Sequence, residues 1–487
     1  MGGSKRPDSD NAVVRIDVAP AASADREPGG GWWVLGAVTF ADMTIDDGRR
    51  SARSGLLDLE AEARREQRES RVPSVVLGTA RAGTVCEVSA VGKADVQSGP
   101  PAETSVPYRI GSITKTFTAA VVLGLAAQGF LALDAPVDRY LPGTAVGEVL
   151  VRSLLAHSGG VAREVPVDMW ASMRGPDREQ LRSALAGAEL VDRPGARWHY
   201  SNLGYAVLGQ VVEEVTGTDC ASVIDTRLLG PLGLSATSWR RPPGAAVGYR
   251  VDPYADVVHR EPDMDQAAVG VAGQLWSTVG DLLVWGDALA GGRPDVVSPG
   301  VVEAMHTVQV MVDRSGWSSG WGLGLILDRR GEQVTAGHTG AMPGFLSALS
   351  LDRGTRSVAV VLSNATRGAS VGRLAAEIID DLIGTAPAAV GEPWTPAGEV
   401  PAELDGVLGR WWSEADETVF TWRAGGLNAR LVTGPAAGET RFERVGAHSY
   451  RAVSGRLTGE RLFVRRDRVG VVTGLEWATY PFTRTPR

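Results

Sequence analysis

A hydroxyl and an amine three residues apart, Ser112 and Lys115 in Arg109-Ile110-Gly111-Ser112-Ile113-Thr114-Lys115-Thr116-Phe117, stand at the head of an apolar run, Val121 to Ala127, that Gly129 closes. The run reads as a buried helix opened by a small, capping-type residue. Residues three apart on a helix share a face, so the two side chains can meet. A serine beside a deprotonatable amine is a nucleophile supplied with its base. The chain contains three lysines, Lys5, Lys93 and Lys115, and draws nearly all its other positive charge from arginine. Arginine keeps its proton, whereas lysine can give one up, so the residue type three after the serine is the one that base chemistry needs. A solvated helix lysine is the competing reading, and an apolar helix leaves little water for it.

A nucleophile also needs a proton path and a seat for the developing oxyanion. Tyr200-Ser201-Asn202, the one Tyr-x-Asn in the sequence, precedes a helix expected from Leu203. In an extended segment Tyr200 and Asn202 point to the same side, the phenol toward a proton and the amide toward a carbonyl. The competing reading makes Asn202 the helix cap, with Tyr200 packed against it. His338-Thr339-Gly340-Ala341 ends a late strand and offers a cleft wall, with the Ala341 N–H aimed at an oxyanion; a plain hairpin turn is the alternative. A rival nucleophile exists in Gly316-Trp317-Ser318-Ser319-Gly320, the pattern of an elbow that needs a strand before its serine and a helix after it. Trp321-Gly322-Leu323-Gly324-Leu325 follows with the alternation of a strand, so the elbow lacks its context. The six histidines show no metal-ligand spacing, His157 reads as a buried structural residue, and no metal or other cofactor is expected.

The elements that must hold these residues follow from periodicity. Residues 1–50 show none and read as a disordered tail. An amphipathic helix from Leu56 to Arg65 and two strands, Ser74 to Ala80 and Thr84 to Val91, come next. After the Ser112 helix the texture is helical with long loops: Val151 to His157, Arg178 to Leu190, Tyr205 to Thr216 and Thr278 to Ala290. Strands then return at Trp321 to Leu327, Gln333 to His338, Phe345 to Asp352 and Val358 to Ser363, and a helix from Val371 to Ile383 closes the unit. A sheet that the chain leaves and rejoins, with a helical insert between, is an α/β (α+β) domain with a helical subdomain, here over residues 51–385. Residues 386–401 form a Pro/Gly/Ala linker. Residues 402–487 carry short β-type runs at Thr418 to Arg423, Thr440 to Arg444, Arg461 to Arg465 and Gly474 to Tyr480, a small all-β, lipocalin-like domain.

Composition narrows the partners. The net charge is −8 with no basic block, which argues against nucleic acid. No run approaches membrane-spanning length. The short apolar stretch Trp32 to Val38 lies behind thirty mostly polar residues and lacks a cleavage pattern, so a cytoplasmic protein is expected. Cys86 and Cys220 cannot build a disulfide framework and are expected free and buried.

Taken together, the three motifs resemble the serine β-lactamase and penicillin-binding-protein superfamily, in the branch related to class C β-lactamases, D-aminopeptidases and family VIII esterases. Further landmarks agree: Leu131-Ala132-Leu133-Asp134-Ala135-Pro136-Val137 with Tyr140-Leu141-Pro142, Leu154-Leu155-Ala156-His157-Ser158-Gly159-Gly160, Pro231-Leu232-Gly233-Leu234, and Trp276-Ser277-Thr278-Val279-Gly280-Asp281-Leu282. The resemblance implies a β-lactamase/transpeptidase-like fold in which Ser112 is acylated, Lys115, neutral or sharing a proton with Tyr200, serves as the base, and Tyr200 relays a proton to the leaving group; which of Lys115 and Tyr200 takes the serine proton is open in that superfamily. It further implies that Asn202 orients the substrate carbonyl and that the N–H groups of Ser112 and Ala341 form the oxyanion hole. His338 stands where many members carry lysine, which removes a fixed charge for a substrate carboxylate and implies weak β-lactam hydrolysis. The expected partner is a small-molecule or peptidyl ester, thioester or amide. One branch, stand-alone thioesterases that release and cyclise nonribosomal peptides, shares the layout and implies a carrier-protein thioester. In that case Arg465, Arg466 or Arg468 of the β domain is a candidate for a substrate carboxylate. A non-catalytic binding protein on the same fold is the remaining alternative.

Overall fold

The computed structural model describes residues 57–97, 99–386, 399–432 and 438–486, so the expected N-terminal tail and most of the expected linker lie outside the described residues. The chain divides into two compact units between Ala386 and Pro387.

The first unit is built on an antiparallel sheet of eight strands: β1 Ser74–Arg81, β2 Thr84–Gly92, β3 Val310–Met311, β4 Ser319–Trp321, β5 Ile326–Arg330, β6 Gln333–Met342, β7 Phe345–Asp352 and β8 Ser357–Ser363. Their order is β2-β1-β8-β7-β6-β5-β4-β3, so the first hairpin joins strands that arrive some 270 residues later, with Val75 opposite Ser363 and Arg81 opposite Ser357. Alternate side chains of a strand face opposite ways, and here both faces are covered. Val76, Val358, Val360 and Leu362 enter one core, and Val75, Leu77, Ala359 and Val361 enter the other. Helices α1 (Leu59–Glu69) and α5 (Val371–Gly384) cover the second face. Across the first lie α2 (Thr114–Ala127), α3 (Asn202–Thr216), α4 (Val279–Leu289) and the rest of the helical insert. The α4 helix packs on the sheet, and its Trp285 stacks on Phe117 of α2 with ring centroids 4.1 Å apart, which anchors α2 above the strands.

Several elements differ from the sequence reading, each for a local reason. The expected strand Trp321 to Leu327 is two strands and a turn. The N–H of Gly322 donates to the Leu325 carbonyl at 2.9 Å, Gly324 sits at φ +96°, and the alternation of Gly and Leu belongs to the turn. The Arg178–Leu190 helix stops at Ala184 and tightens into a 3₁₀ turn, Leu185–Gly187. Cys220 is buried as expected, but Cys86 is exposed, because it lies on the uncovered part of β2 where the burial pattern runs exposed from Thr84 to Val88.

The second unit is an eight-stranded meander in which each strand pairs antiparallel with the next, from Gly409–Ser413 to Tyr480–Phe482. Four of these strands were expected, Asp416–Arg423, Glu439–Gly446, Arg461–Arg466 and Val472–Trp477, and the other four were not. Trp412 and Thr483 exchange two backbone hydrogen bonds of 2.8 Å, which brings the first strand against the end of the last and nearly closes a barrel. Closure removes the free edge that an open sheet would expose. Trp411, Phe420, Phe442, Trp477 and Phe482 fill the inside. Among the described residues no helix is long and apolar enough to cross a membrane.

Candidate active site

Ser112 lies on a 3₁₀ turn, Gly111–Ile113, that feeds directly into α2. Gly111 enters the turn at φ +51°, a conformation that suits a residue without a Cβ. A Cβ there would also come to 2.7 Å from the backbone nitrogen of Ala341, so the turn is pressed against β6. In a 3₁₀ turn, side chains three apart eclipse more closely than on an α-helix. Lys115 Nζ accordingly lies 3.1 Å from Ser112 Oγ. Ser112 is half-buried while Lys115 is 0% exposed, so the pair has a solvent side and a dry side.

The amine has two further partners, Asn202 Oδ1 at 2.7 Å and the Ala272 carbonyl oxygen at 2.6 Å. Both are acceptors and take N–H groups. A neutral amine keeps its lone pair after donating to those two, and the remaining direction points at the Ser112 hydroxyl. Burial disfavours the ammonium form and lowers the Lys115 pKa to about 7; Glu164 acts against this shift and Arg163 with it.

Tyr200 is buried, and its phenol faces the Ser112 hydroxyl. Burial pushes the phenol well above its ordinary range, so it stays protonated. Lys115 Nζ sits 4.9 Å and Arg163 Cζ 5.2 Å from the Tyr200 ring centroid. His157, buried and at φ +54°, packs on the same ring with centroids 4.3 Å apart and accepts the Ser201 N–H at its Nδ1, 3.1 Å. It therefore supports Tyr200, in keeping with a structural role. The cap of α3 is Ser201, whose hydroxyl accepts the Gly204 N–H, and Asn202 is the first helical residue. That frees the Asn202 amide to face inward, with its nitrogen donating to Glu164 Oε1 at 2.8 Å.

His338 to Ala341 lie within β6, not at its end, because the ladder with β7 continues through Met342 opposite Phe345. A hairpin turn is thereby excluded. His338 is buried, its Nδ1 donates to the Thr339 carbonyl at 2.6 Å, and burial together with Lys115 lowers its pKa to about 3, so it is neutral. Thr339 is half-buried, Gly340 is buried against the Ile110 carbonyl, and Ala341 is exposed beside the Gly111–Ile113 turn.

Ser318 belongs to another place. It is exposed, its hydroxyl bonds to the Asp313 carboxylate, and β4 follows it, so the elbow reading fails. Trp276 is buried against Phe345, and Trp317 is 68% exposed. The aromatic wall beside Tyr200 comes instead from Trp321 and Trp198, with centroids 5.8 and 6.3 Å away. Glu164, Arg163 and the Ala272 carbonyl were also missed; no spacing in the sequence marks them. In the second unit Arg465 pairs with Glu476, Arg466 donates to the Gly470 and Glu403 carbonyls, and Arg468 is exposed.

Comparison with known proteins agrees with this architecture. Residues 59–382 match the family model described as Beta-lactamase, and residues 400–484 match a domain of unknown function, DUF7586. The chain is 30% identical over 317 residues to Esterase EstB of Burkholderia gladioli, covering 56% of this chain and 81% of that protein. The crystal structure of SurE is similar at TM-score 0.56 and 26% identity over 88% of this chain and 98% of that one; SurE has also been solved with D-Leu, at TM-score 0.52 and 25% identity, over 87% and 98% of the respective chains. A D-stereospecific amidohydrolase from Streptomyces sp. gives TM-score 0.55 and 26% identity over 66% and 99% of the respective chains. The family model spans well over half of the chain, and the fold beneath it is the mixed sheet-and-helix architecture described above: the protein belongs to the Beta-lactamase family of serine hydrolases, with an all-β domain attached at its C-terminus.

Proposed function

We propose that this protein is a serine acyl-enzyme hydrolase or acyltransferase acting on an ester, thioester or amide, with Ser112 as the nucleophile. The observation that carries the reading is the amine of Lys115, wholly buried, donating to two fixed acceptors with Ser112 Oγ as its third neighbour at 3.1 Å. In the first half-reaction the Ser112 proton passes to Lys115 as Oγ attacks the acyl carbon, and the N–H groups of Ser112 and Ala341 receive the oxyanion. The protonated phenol of Tyr200 donates to the leaving group and is reprotonated from Lys115. Water or an amine then takes the acyl group by the reverse path. Burial keeps the Tyr200 phenol protonated and favours the neutral amine of Lys115, so the amine is the group of the two that is free to accept a proton.

His338 is neutral and puts no positive charge on the third motif, which supports acyl donors without a carboxylate at that point and a low turnover of β-lactams. Within the same chemistry, likeness to SurE, solved with D-Leu, and to a D-stereospecific amidohydrolase favours a donor with a D-configured residue, free or as a peptidyl thioester. The test is intact-protein mass spectrometry with D- and L-aminoacyl esters, a peptidyl thioester and a β-lactam. A single acyl adduct is expected on Ser112, lost in Ser112→Ala and retained in Ser318→Ala; an adduct that survives Ser112→Ala sinks the proposal.

The pH dependence follows with a definite sign. The base is the deprotonated amine, so acylation rises as pH increases through about 7 and falls below it. Single-turnover rates that stay flat between about pH 5 and 9 would contradict Lys115 as base.

A further inference from the structure

We infer that Glu164 is a positioning residue for the base: its carboxylate fixes the side-chain amide of Asn202 so that the amide oxygen, and not the amide nitrogen, faces the amine of Lys115. This rests on the acyl-enzyme reading above. The segment Ala162 to Glu164 clamps the start of α3. Ser201 Oγ donates to the Ala162 carbonyl at 2.7 Å, the N–H of Asn202 and of Leu203 donate to the Arg163 carbonyl at 2.8 and 3.2 Å, and Asn202 Nδ2 donates to Glu164 Oε1 at 2.8 Å. Glu164 is thereby held against one end of an amide whose other end touches Lys115 at 2.7 Å.

The orientation of that amide decides where the amine's lone pair can go. With Oδ1 inward, Asn202 and the Ala272 carbonyl take two N–H groups, and the lone pair is left for the Ser112 hydroxyl. Turned over, the amide would offer Nδ2–H to the lone pair and compete with Ser112 for it. An ionised carboxylate accepts hydrogen bonds and cannot donate one. Glu164 therefore tolerates the first orientation alone, since the flipped amide would set oxygen against oxygen.

Glu164 has a second, electrostatic effect of known sign. The charged and titratable groups facing Lys115 are Glu164, which favours the ammonium, Arg163, which opposes it, the neutral imidazoles of His157 and His338, and the phenols of Tyr200 and Tyr205. Burial pushes the Glu164 carboxyl up from its ordinary range, so its charge is itself lost on the acid side. Removing the carboxylate frees the base at lower pH while loosening the amide.

The experiment follows acylation by a short p-nitrophenyl ester across pH in wild type, Glu164→Gln and Glu164→Leu, with rates expressed per site titrated at Ser112. Both variants are expected to move the acid limb to lower pH. The leucine protein, which holds no amide, should lose about 100-fold of the plateau rate. The glutamine protein, whose carbonyl can still accept from Nδ2, should recover most of that loss. A variant that merely folds poorly would lose titratable sites without moving the limb, and that result would overturn the inference. So would a leucine protein that acylates at the wild-type rate with an unmoved limb beside a wild type labelled on Ser112. A wild type that takes no label on Ser112 overturns the acyl-enzyme reading and this inference with it.

Discussion

On the proposed mechanism, Lys115→Arg is expected to slow acylation of Ser112 by about a thousandfold, or roughly 4 kcal/mol of barrier, and to abolish the acid limb of the pH profile. A guanidinium keeps its proton throughout the working range and has no lone pair to offer, so it cannot take the Ser112 proton. Its planar fork also cannot reproduce the amine's three partners, Ser112 Oγ, Asn202 Oδ1 and the Ala272 carbonyl, which converge on one atom. The space is closed as well, since Lys115 is fully buried with Tyr200 and Tyr205 rings 4.9 and 5.6 Å from Nζ. Lys115→Met, uncharged and of similar length, is expected to lose as much, which separates loss of the base from intrusion of a charge. Single-turnover mass spectrometry measures both. An arginine protein within about tenfold of wild type would show that another group takes the proton.

Gly340→Ala should cost about 100-fold in rate although residue 340 touches no reacting atom. A Cβ there would overlap the Ile110 carbonyl and the Ser347 hydroxyl, which donates to that same carbonyl at 2.8 Å. Relief requires β6 to draw back from the nucleophile turn, and Ala341 moves with it. The N–H groups of Ser112 and Ala341, proposed to receive the oxyanion and lying one on each side of that contact, are then expected no longer to converge. Overpacking of this kind also costs about 1–3 kcal/mol of stability, read as a lower melting temperature. An alanine protein that melts lower yet turns over at the wild-type rate would refute the geometric part of the argument.

How much of this could be read beforehand depended on the range of the contact involved. The Ser112–Lys115 pair was legible because three residues along a helical turn is a local relation that any such turn satisfies. The hairpin of β1 and β2 and the strand Phe345–Asp352 were legible because apolar runs and Gly turns carry their own period. The all-β, lipocalin-like character of the second unit was legible in its runs, whereas four of its eight strands were not, among them Ser449–Ala452 and Tyr480–Phe482, which are too short to show a period before they pair. The burial of Cys86 was misjudged because nothing in its neighbours tells which part of β2 the helices leave uncovered.

The sequence by itself therefore determined which side chains could react: a serine, a lysine one turn away, and a Tyr-x-Asn and a His-Thr-Gly to complete them. Tertiary structure decided the surroundings that fit the lysine for the proposed role of base. Its acceptors are Asn202, 87 residues along the chain, and Ala272, 157 residues along it, and Glu164, which accepts from the Asn202 amide, lies 38 residues before Asn202. Desolvation and the direction of a lone pair are properties of a packed interior, assembled from segments whose meeting leaves no periodic trace in the chain.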